Sequence, residues 1–205
     1  MLPLLLISCS VFKSNYTLID QGFKDAGMRS NTRKAAIKAL KCAEKKHITP
    51  RNYFMVVDFQ LPTNKKRLWM IDTSTGKVVV QDWVTHGKKS GTRDKASSFS
   101  NVPGSNQSSL GVYRGLLRTP SKHPPYNLRI QGLEKEFNSN ALRRTIVVHS
   151  SKYIGNGRKG LSSGCFSVQR SVIEPLADSL RFGGLIFAYY PDSNYLNNSE
   201  YLNCD

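Results

Sequence analysis

Hydrophobic and polar positions follow two different periods along the chain, and the period changes near Pro50. Between Thr32 and His47 apolar residues recur at helical spacing, with lysines on the opposite side. Asn31 or Thr32 can cap this helix, and Pro50 stops it. Residues 10–30 show little periodicity, so we expect a mobile tether ahead of the helix.

After Pro50, short runs rich in β-branched and aromatic residues predict strands. The predicted strands are Tyr53–Phe59, Arg67–Ile71, Lys77–Trp83, Val112–Leu117, Leu128–Gly132, Thr145–His149 and Gly184–Tyr190. One further helix is predicted at Ser171–Phe182, with Pro175 in its first turn. This pattern predicts a mainly β fold with flanking helices, either a β-sandwich or a partly open barrel.

Charge adds a constraint on partners. The chain has 205 residues, and its 30 Lys and Arg against 14 Asp and Glu give a net charge of +16. Such a surface favours an anionic partner, which leaves nucleic acid, an anionic membrane surface or an acidic cell-wall polymer, or it is simply a solvated basic surface. The sequence has neither paired zinc-ligand spacing nor an aromatic ribonucleoprotein motif, so we predict no nucleic acid, no metal and no cofactor.

The first nine residues resemble the end of a secretory signal. Residues 1–9 are read as a truncated or atypical lipoprotein signal, in which Cys9 would carry lipid and anchor the protein to a membrane. The alternative is a fragmentary signal without lipidation. Either version predicts export to the periplasm or cell envelope, where Cys42 and Cys204 could pair or remain two thiols.

A cysteine and a histidine carry the candidate chemistry. Cys165 follows Gly164 on an apparent turn, and His149 ends an apolar run sixteen positions earlier. A thiolate attacks carbonyl carbon, and an imidazole removes and returns the proton. Taken alone, each residue is more often a core residue than a catalytic one. No Asp or Glu lies close to either motif, which favours a backbone carbonyl as the group that orients the imidazole.

These residues resemble a known family. The span Tyr53–Tyr190 resembles the YkuD-type murein L,D-transpeptidase catalytic domain, which carries a His, an intervening segment and then Ser-x-Gly-Cys. A second matching block lies upstream. It comprises Thr85-His86-Gly87-Lys88-Lys89-Ser90-Gly91, Phe99-Ser100-Asn101, Gly104-Ser105 and Ser108-Ser109-Leu110-Gly111.

The resemblance implies further site residues. The amides of Gly164 and Cys165 would form an oxyanion hole. Substrate-contacting residues would be His86, Gly87, Ser105, Ser109, Ser150, Arg158, Ser162 and Ser163. For His86 the alternative is a polar loop residue that only shapes the wall. The chain departs from the family at Ser163, where many members have His, and at Ser167, where many have Arg. Arg158, Lys159 or Arg170 could then supply the missing charge.

The resemblance also implies a reaction and a domain plan. Cys165 would attack a peptidoglycan stem-peptide amide, D-alanine would leave, and the thioester would pass to an amine. The alternatives are an L,D-carboxypeptidase or hydrolase with the same Cys/His pair, an inactive wall-binding lipoprotein, and, as a third class, a charge-driven nucleic-acid binder. The predicted segments are a signal at 1–9, a tether and helix at 10–50, and the catalytic domain at 51–205.

Overall fold

The computed structural model describes residues 14–122, 125–155 and 158–204, with the backbone alone at 158–159. The helices are α1 (Tyr16–Asp25), α2 (Ser30–Lys45), α3 (Arg170–Leu180) and α4 (Ser193–Asn198), with a short 3₁₀ turn at Ser139–Ala141. The strands are β1 (Tyr53–Asp58), β2 (Leu68–Asp72), β3 (Val78–Asp82), β4 (Gly111–Thr119), β5 (Asn127–Gly132), β6 (Val147–Ser150), β7 (Ile154–Gly155), β8 (Arg158–Lys159), β9 (Phe166–Val168) and β10 (Leu185–Tyr189).

Eight of these strands form one sheet in the order β3-β2-β1-β10-β4-β5-β6-β9, and β7 pairs with β8 in a separate hairpin. The pairs β1–β10 and β6–β9 are parallel, and the other neighbours in the large sheet are antiparallel. The sheet is nearly closed and barrel-like, with a few helices against it. The predicted mainly β fold with flanking helices is therefore confirmed.

Helix α1 lies where the sequence predicted a tether. Asn15 caps it by accepting from the Leu18 N–H at 3.2 Å. Ile19 and Phe23, one turn apart, are fully buried, and the Phe23 ring packs edge-on against Phe54 of β1 at 6.3 Å between centroids. The prediction of a tether over residues 10–30 is therefore wrong for this segment.

Helix α2 begins two residues before its predicted start and is fastened at both ends. The buried Asp58 carboxylate at the end of β1 accepts from Arg29 at 3.2 Å and from the Thr32 hydroxyl at 2.8 Å. Near the other end, Cys42 forms a disulfide with Cys204, with the Cα atoms 5.7 Å apart. The structure thus pairs the two cysteines whose state the sequence left open, and it joins α2 to the end of the chain.

Helix α3 runs inside the curve of the sheet and contacts β1, β3, β4 and β6. Pro175 lies inside this helix and not in its first turn as predicted, because α3 already begins at Arg170. Phe166 of β9 anchors the end strand by packing against Phe59 and Tyr113, with ring centroids 6.2 and 5.6 Å away. The strand that follows the candidate cysteine is therefore held by the aromatic core.

Among the described residues, none of the helices is both long enough and apolar enough to cross a bilayer. The predicted signal at residues 1–9, including Cys9, lies outside the described residues.

Candidate active site

The parallel pairing of β6 and β9 brings the candidate base and nucleophile together. His149 lies opposite Ser167, and Val148 lies opposite Phe166. Side chains alternate between the two faces of a strand, so His149 and Ser167 share one face. Cys165 lies in the turn that leads into β9, one residue before Phe166, and its sulfur lies 3.7 Å from the carbonyl oxygen of Thr145, two residues before β6. The two residues predicted from sequence spacing are therefore carried by β6 and by the turn that enters its partner strand.

His149 is half-buried and its ring is oriented by two groups. Its Nδ1 lies 2.8 Å from the backbone carbonyl oxygen of Ser150. A carbonyl oxygen only accepts, so Nδ1 carries the proton and Nε2 offers a lone pair. The Ser167 hydroxyl lies 3.0 Å from Nε2 and donates to it. The predicted backbone-carbonyl partner is thus present, and the basic lone pair is on Nε2, the nitrogen that accepts from Ser167 of β9.

Cys165 is a half-buried free thiol whose sulfur lies 3.7 Å from the carbonyl oxygen of Thr145. Burial raises the pKa of this thiol, whereas the Val147 N–H and the Arg144 guanidinium lower it. The balance is a raised pKa, so the resting sulfur is protonated at neutral pH and donates to the carbonyl. A nearby base is therefore required before this sulfur can attack.

The turn before Cys165 can hold only glycine at position 164. Gly164 has φ +121°, and a Cβ there would lie 2.7 Å from the Gln107 carbonyl oxygen. The Gly164 N–H donates to the Ser162 hydroxyl at 3.0 Å, and that hydroxyl donates to the Cys165 carbonyl at 2.8 Å. In this arrangement the Gly164 amide is engaged within the turn, contrary to its predicted place in an oxyanion hole. The role of the Cys165 amide stays a prediction.

The two motif blocks of the sequence lie side by side. Gly87 forms a parallel bridge with Ser162, the Lys88 N–H donates to the Ser162 carbonyl at 2.7 Å, and the Ser162 N–H donates to the His86 carbonyl at 3.0 Å. A Cβ on Gly87 would lie 2.4 Å from the Asn106 carbonyl oxygen. Gly87 and Ser162 therefore act together to set the path of the chain into the Cys165 turn.

His86 was predicted to contact substrate, but its ring is fully buried. Its Nδ1 accepts from the guanidinium of the equally buried Arg67 at 2.9 Å, and its Nε2 donates to the Thr92 carbonyl at 2.8 Å. Burial, and then the Arg67 charge, lower the pKa of His86 to about 4. This neutral ring supports the loop from within, which agrees with the alternative that it only shapes the wall.

Arg144 is the residue of this region that the sequence reasoning missed. Its guanidinium donates to the Ser109 hydroxyl at 2.6 Å, to the Ser105 hydroxyl at 3.3 Å and to the Gln107 carbonyl. Nη2 also lies 3.1 Å from where a Cβ on Gly164 would be. Ser105 and Ser109, both predicted to contact substrate, are thus gathered by one arginine beside the cysteine turn. Nothing in the sequence separated this arginine from the other basic residues.

The strand predicted to start at Thr145 starts two residues later. Thr145 has φ +53°, which a β-branched residue rarely adopts, so the backbone turns sharply between Arg144 and β6. That turn aims the Thr145 carbonyl at Cys165 and the Arg144 side chain at the preceding loop. The strained residue therefore sits where two groups of the site are positioned.

The remaining predicted contacts are placed as follows. Ser150 contributes its carbonyl to His149, and its side chain is buried. Ser163 is exposed on the cysteine turn. Arg158 begins β8, with its side chain outside the described residues, and Arg170 is exposed at the start of α3. Their contacts with a substrate stay predictions. Within the described ranges, no three His, Cys, Asp or Glu side chains are grouped as a metal site.

A comparison with protein families gives a match that covers most of the chain. The profile of the L,D-transpeptidase catalytic domain, YkuD type, matches residues 24–189, a span that contains both His149 and Cys165. The chain belongs to the L,D-transpeptidase catalytic-domain family. The match begins within α1, so this family domain includes α2 as well as the sheet. A comparison with curated protein sequences finds no significant match.

Several solved L,D-transpeptidases are similar to this chain at low identity. The enzyme from Stackebrandtia nassauensis is 13% identical over 84% of this chain and 76% of its own, with a TM-score of 0.40. That from Xylanimonas cellulosilytica DSM 15894 is 18% identical over 83% and 78%, with a TM-score of 0.38. That from Mycobacterium smegmatis is 13% identical over 68%, with a TM-score of 0.40, and this chain spans 59% of its length. The family assignment rests on the profile match.

Proposed function

We propose that this protein is a cysteine L,D-transpeptidase that acts on peptidoglycan stem peptides. The observation that carries the proposal is the parallel pairing of β6 with β9, which brings His149 of β6 opposite Ser167, two residues after the free thiol of Cys165 at the entrance to β9. The tautomer imposed by the Ser150 carbonyl leaves Nε2 as the basic nitrogen on the side of β9. A thiol with a raised pKa and an oriented imidazole are suited to proton transfer followed by acyl transfer.

The first half-reaction forms a thioester. His149 Nε2 takes the proton of the Cys165 thiol, with the Ser167 hydroxyl giving up its hydrogen bond to that nitrogen. The thiolate attacks the amide carbonyl of the third, diamino acid residue of a tetrapeptide stem. The C–N bond breaks as the imidazolium returns its proton to the departing amine of D-alanine, and the acyl group stays on sulfur.

The second half-reaction restores the thiol. An acceptor amine attacks the thioester carbonyl and loses its proton to His149, the C–S bond breaks, and the sulfur takes the proton back. Water in place of the amine would give an L,D-carboxypeptidase, because the two reactions share the same first half. The acceptor therefore decides the product, while the Cys165 chemistry is common to both.

The proposal also concerns the compartment. Peptidoglycan is assembled outside the cytoplasm, and a disulfide such as Cys42–Cys204 is typical of an oxidising environment. Both support export to the periplasm or cell envelope. Anchoring through Cys9 stays a prediction from the sequence.

The test is incubation of the purified protein with a disaccharide-tetrapeptide, followed by mass spectrometry. We expect loss of D-alanine, together with a 3-3 linked dimer if an amine is the acceptor or a tripeptide if water is. Cys165→Ala should abolish both products, whereas Ser193→Ala, at an exposed serine in the first turn of α4, should retain them. Equal product from Cys165→Ala and wild type, or an inert wild type with an intact fold, would refute the proposal.

A further inference from the structure

Three arginines surround a cavity that the candidate chemistry does not use. Arg51, Arg114 and Arg129 line a space of about 490 Å³, together with Leu116, Leu117 and Phe182. We call this cavity the arginine pocket. Leu117 and Phe182 are unusually exposed for apolar side chains, at 56% and 49% of their surface. The pocket therefore combines a cationic lining with apolar walls, and its size is that of a ligand site.

The charges of the arginine pocket are unmatched. Throughout the part of the chain that the structure describes, its three guanidinium groups make neither a side-chain hydrogen bond nor an ion pair with the protein. Neighbouring arginines behave differently, since Arg118 and Arg181 both reach Asp178, at 2.7 and 3.6 Å. No acidic residue lines the pocket. Three unmatched guanidinium groups around one cavity attract anions and can hold carboxylates bidentately.

Strand register shows which face of the sheet carries the pocket. Leu185 of β10 lies opposite Arg114 of β4, and the next residue of β4, Gly115, lies opposite Ile130 of β5. Because successive side chains alternate, Arg114 and Arg129 share the face opposite that of Gly115 and Ile130. Arg129 in turn lies opposite Val147 of β6.

Two positions further along β6 stands His149, on that same face. Strands lie about 4.8 Å apart, so β5 and β4 are about 10 and 14 Å from β9. Helix α1 contacts β2, and helix α2 contacts β10, the strand next to β4. The arginine pocket thus adjoins the candidate catalytic strands along one sheet surface.

We propose that the arginine pocket binds the carboxylates of a second peptide stem, adjacent to the stem that reacts at Cys165. This inference rests on the proposed function. The guanidinium groups match stem carboxylates, and the leucines and the Phe182 ring match alanine methyl groups and the methylene chain of a diamino acid. A concave site of this size suits a discrete peptide better than a flat membrane surface. The pocket would hold a neighbouring part of the polymer while one stem is processed.

Binding is tested in the Cys165→Ala background, so that no turnover occurs. The probes are soluble peptidoglycan fragments with one tetrapeptide stem or with two stems on one glycan strand, measured by calorimetry. The variant Arg51→Gln/Arg114→Gln/Arg129→Gln should bind the two-stem fragment at least about tenfold more weakly, since it loses the hydrogen bonds that three charged groups donate to carboxylates. Affinity for the one-stem fragment should change less than about twofold.

A charge-matched control separates this site from the general positive charge. Lys24→Gln/Lys38→Gln/Lys77→Gln removes three exposed charges elsewhere and should leave the two-stem affinity unchanged. Equal weakening in the control, or no weakening in the arginine variant, would overturn the inference. So would loss of binding only to phosphatidylglycerol vesicles, which would identify an anionic lipid instead.

The proposed function is tested separately by turnover of the one-stem fragment. If wild type is inert towards it but the arginine variant still loses two-stem binding, the pocket stands and the catalytic proposal fails. If turnover is normal and two-stem binding does not depend on the arginines, the pocket proposal alone fails.

Discussion

The chain holds two imidazoles beside the same turn in opposite ways. His149 is half-buried, and its Nε2 lone pair accepts from the hydroxyl of Ser167, which can exchange its proton. His86 is fully buried, with one nitrogen bound by Arg67 and the other by the Thr92 carbonyl. The first ring is free to exchange a proton with a neighbour, whereas the second is committed to the fold. The same side chain therefore serves either chemistry or stability, according to what occupies its second nitrogen.

This difference is not visible in the local sequence. Each histidine follows a short run of apolar or β-branched residues, Val84-Thr85 in one case and Val147-Val148 in the other. What separates the two rings is contributed by distant parts of the chain, Arg67 and Thr92 against Ser167. The sequence motifs mark both histidines as candidate site residues, and only their contacts in the folded protein distinguish them.

Replacing His149 should have the largest effect on the reaction. His149→Ala should lower the rate of D-alanine release by about 10²–10⁴-fold, because the thiol loses its general base and acid. The melting temperature should change little, since the ring is only half-buried. Mass-spectrometric turnover and thermal unfolding on the same preparation check this. A variant that is unfolded, or one that keeps wild-type turnover, would contradict the assigned role.

His86→Ala should give the reverse result. Arg67 would keep the Val84 and Leu61 carbonyls but lose one of its buried acceptors, which costs about 1–3 kcal/mol of unfolding free energy. The folded fraction should keep kcat within about threefold of wild type. Chemical denaturation followed by turnover below the transition measures both, and His86→Gln, which can still accept and donate, should recover part of the stability. A large fall in kcat without loss of stability would assign His86 to the reaction after all.

Variants of Arg144 test whether a charge outside the Cys165/His149 pair influences the pKa of the Cys165 thiol. Its guanidinium lowers the pKa of Cys165, so Arg144→Gln should move the acidic limb of the kcat/KM profile to higher pH and reduce kcat/KM at neutral pH about tenfold. Arg144→Lys keeps the charge but not the fork that holds Ser105 and Ser109. It should restore the pH profile without restoring the full rate. Identical profiles for the two variants would limit Arg144 to holding the loop.

The smallest effect is a pH dependence of stability from His86. Its pKa falls from 6.5 to about 4 on folding, so its contribution is present above pH 6.5 and is lost as the pH falls towards 4. The slope is at most about 1.4 kcal/mol per pH unit for one proton. Denaturation series between pH 4 and 7 should show this slope, and His86→Gln should remove it.

The buried carboxyl of Glu134 also makes stability depend on pH, so it has to be replaced before the His86 contribution can be measured. Burial raises the pKa of Glu134 from 4.5 to about 7, so its contribution is present below pH 4.5 and is lost as the pH rises to 7. The two groups act in opposite directions between pH 4.5 and 6.5. The His86 slope should therefore be steeper in a Glu134→Gln background. An unchanged slope in that background would show that Glu134 does not titrate between pH 4.5 and 6.5, and a slope that survives His86→Gln there would show that His86 is not the titrating group.

Sequence reasoning reached seven strands and the family, because each leaves a local or spaced pattern, but it did not reach the short strands β7, β8 and β9. The catalytic roles of Cys165 and His149 stay predictions. Sequence reasoning also missed α1, which was assigned to a tether although Ile19 and Phe23 are buried in the core. It also missed Arg144, since a basic residue among many gives no signal until the loop it holds has folded against it. Gly164 was correctly predicted to lie in a tight turn. The donation of its amide to Ser162 was not predicted, because it depends on the rotamer of the Ser162 side chain, which the sequence does not specify.

The parallel pair β6–β9 has a consequence for how such a catalyst can diversify. The chain leaves the sheet after Ser150 and returns at Phe166; β6 places the imidazole, and the turn from Ser162 to Cys165 that leads into β9 places the sulfur. The segment from Ser151 to Leu161 can thus be lengthened, shortened or exchanged without moving the reacting atoms. Changes in that segment would alter the substrate preference while Cys165 and His149 keep the same chemistry.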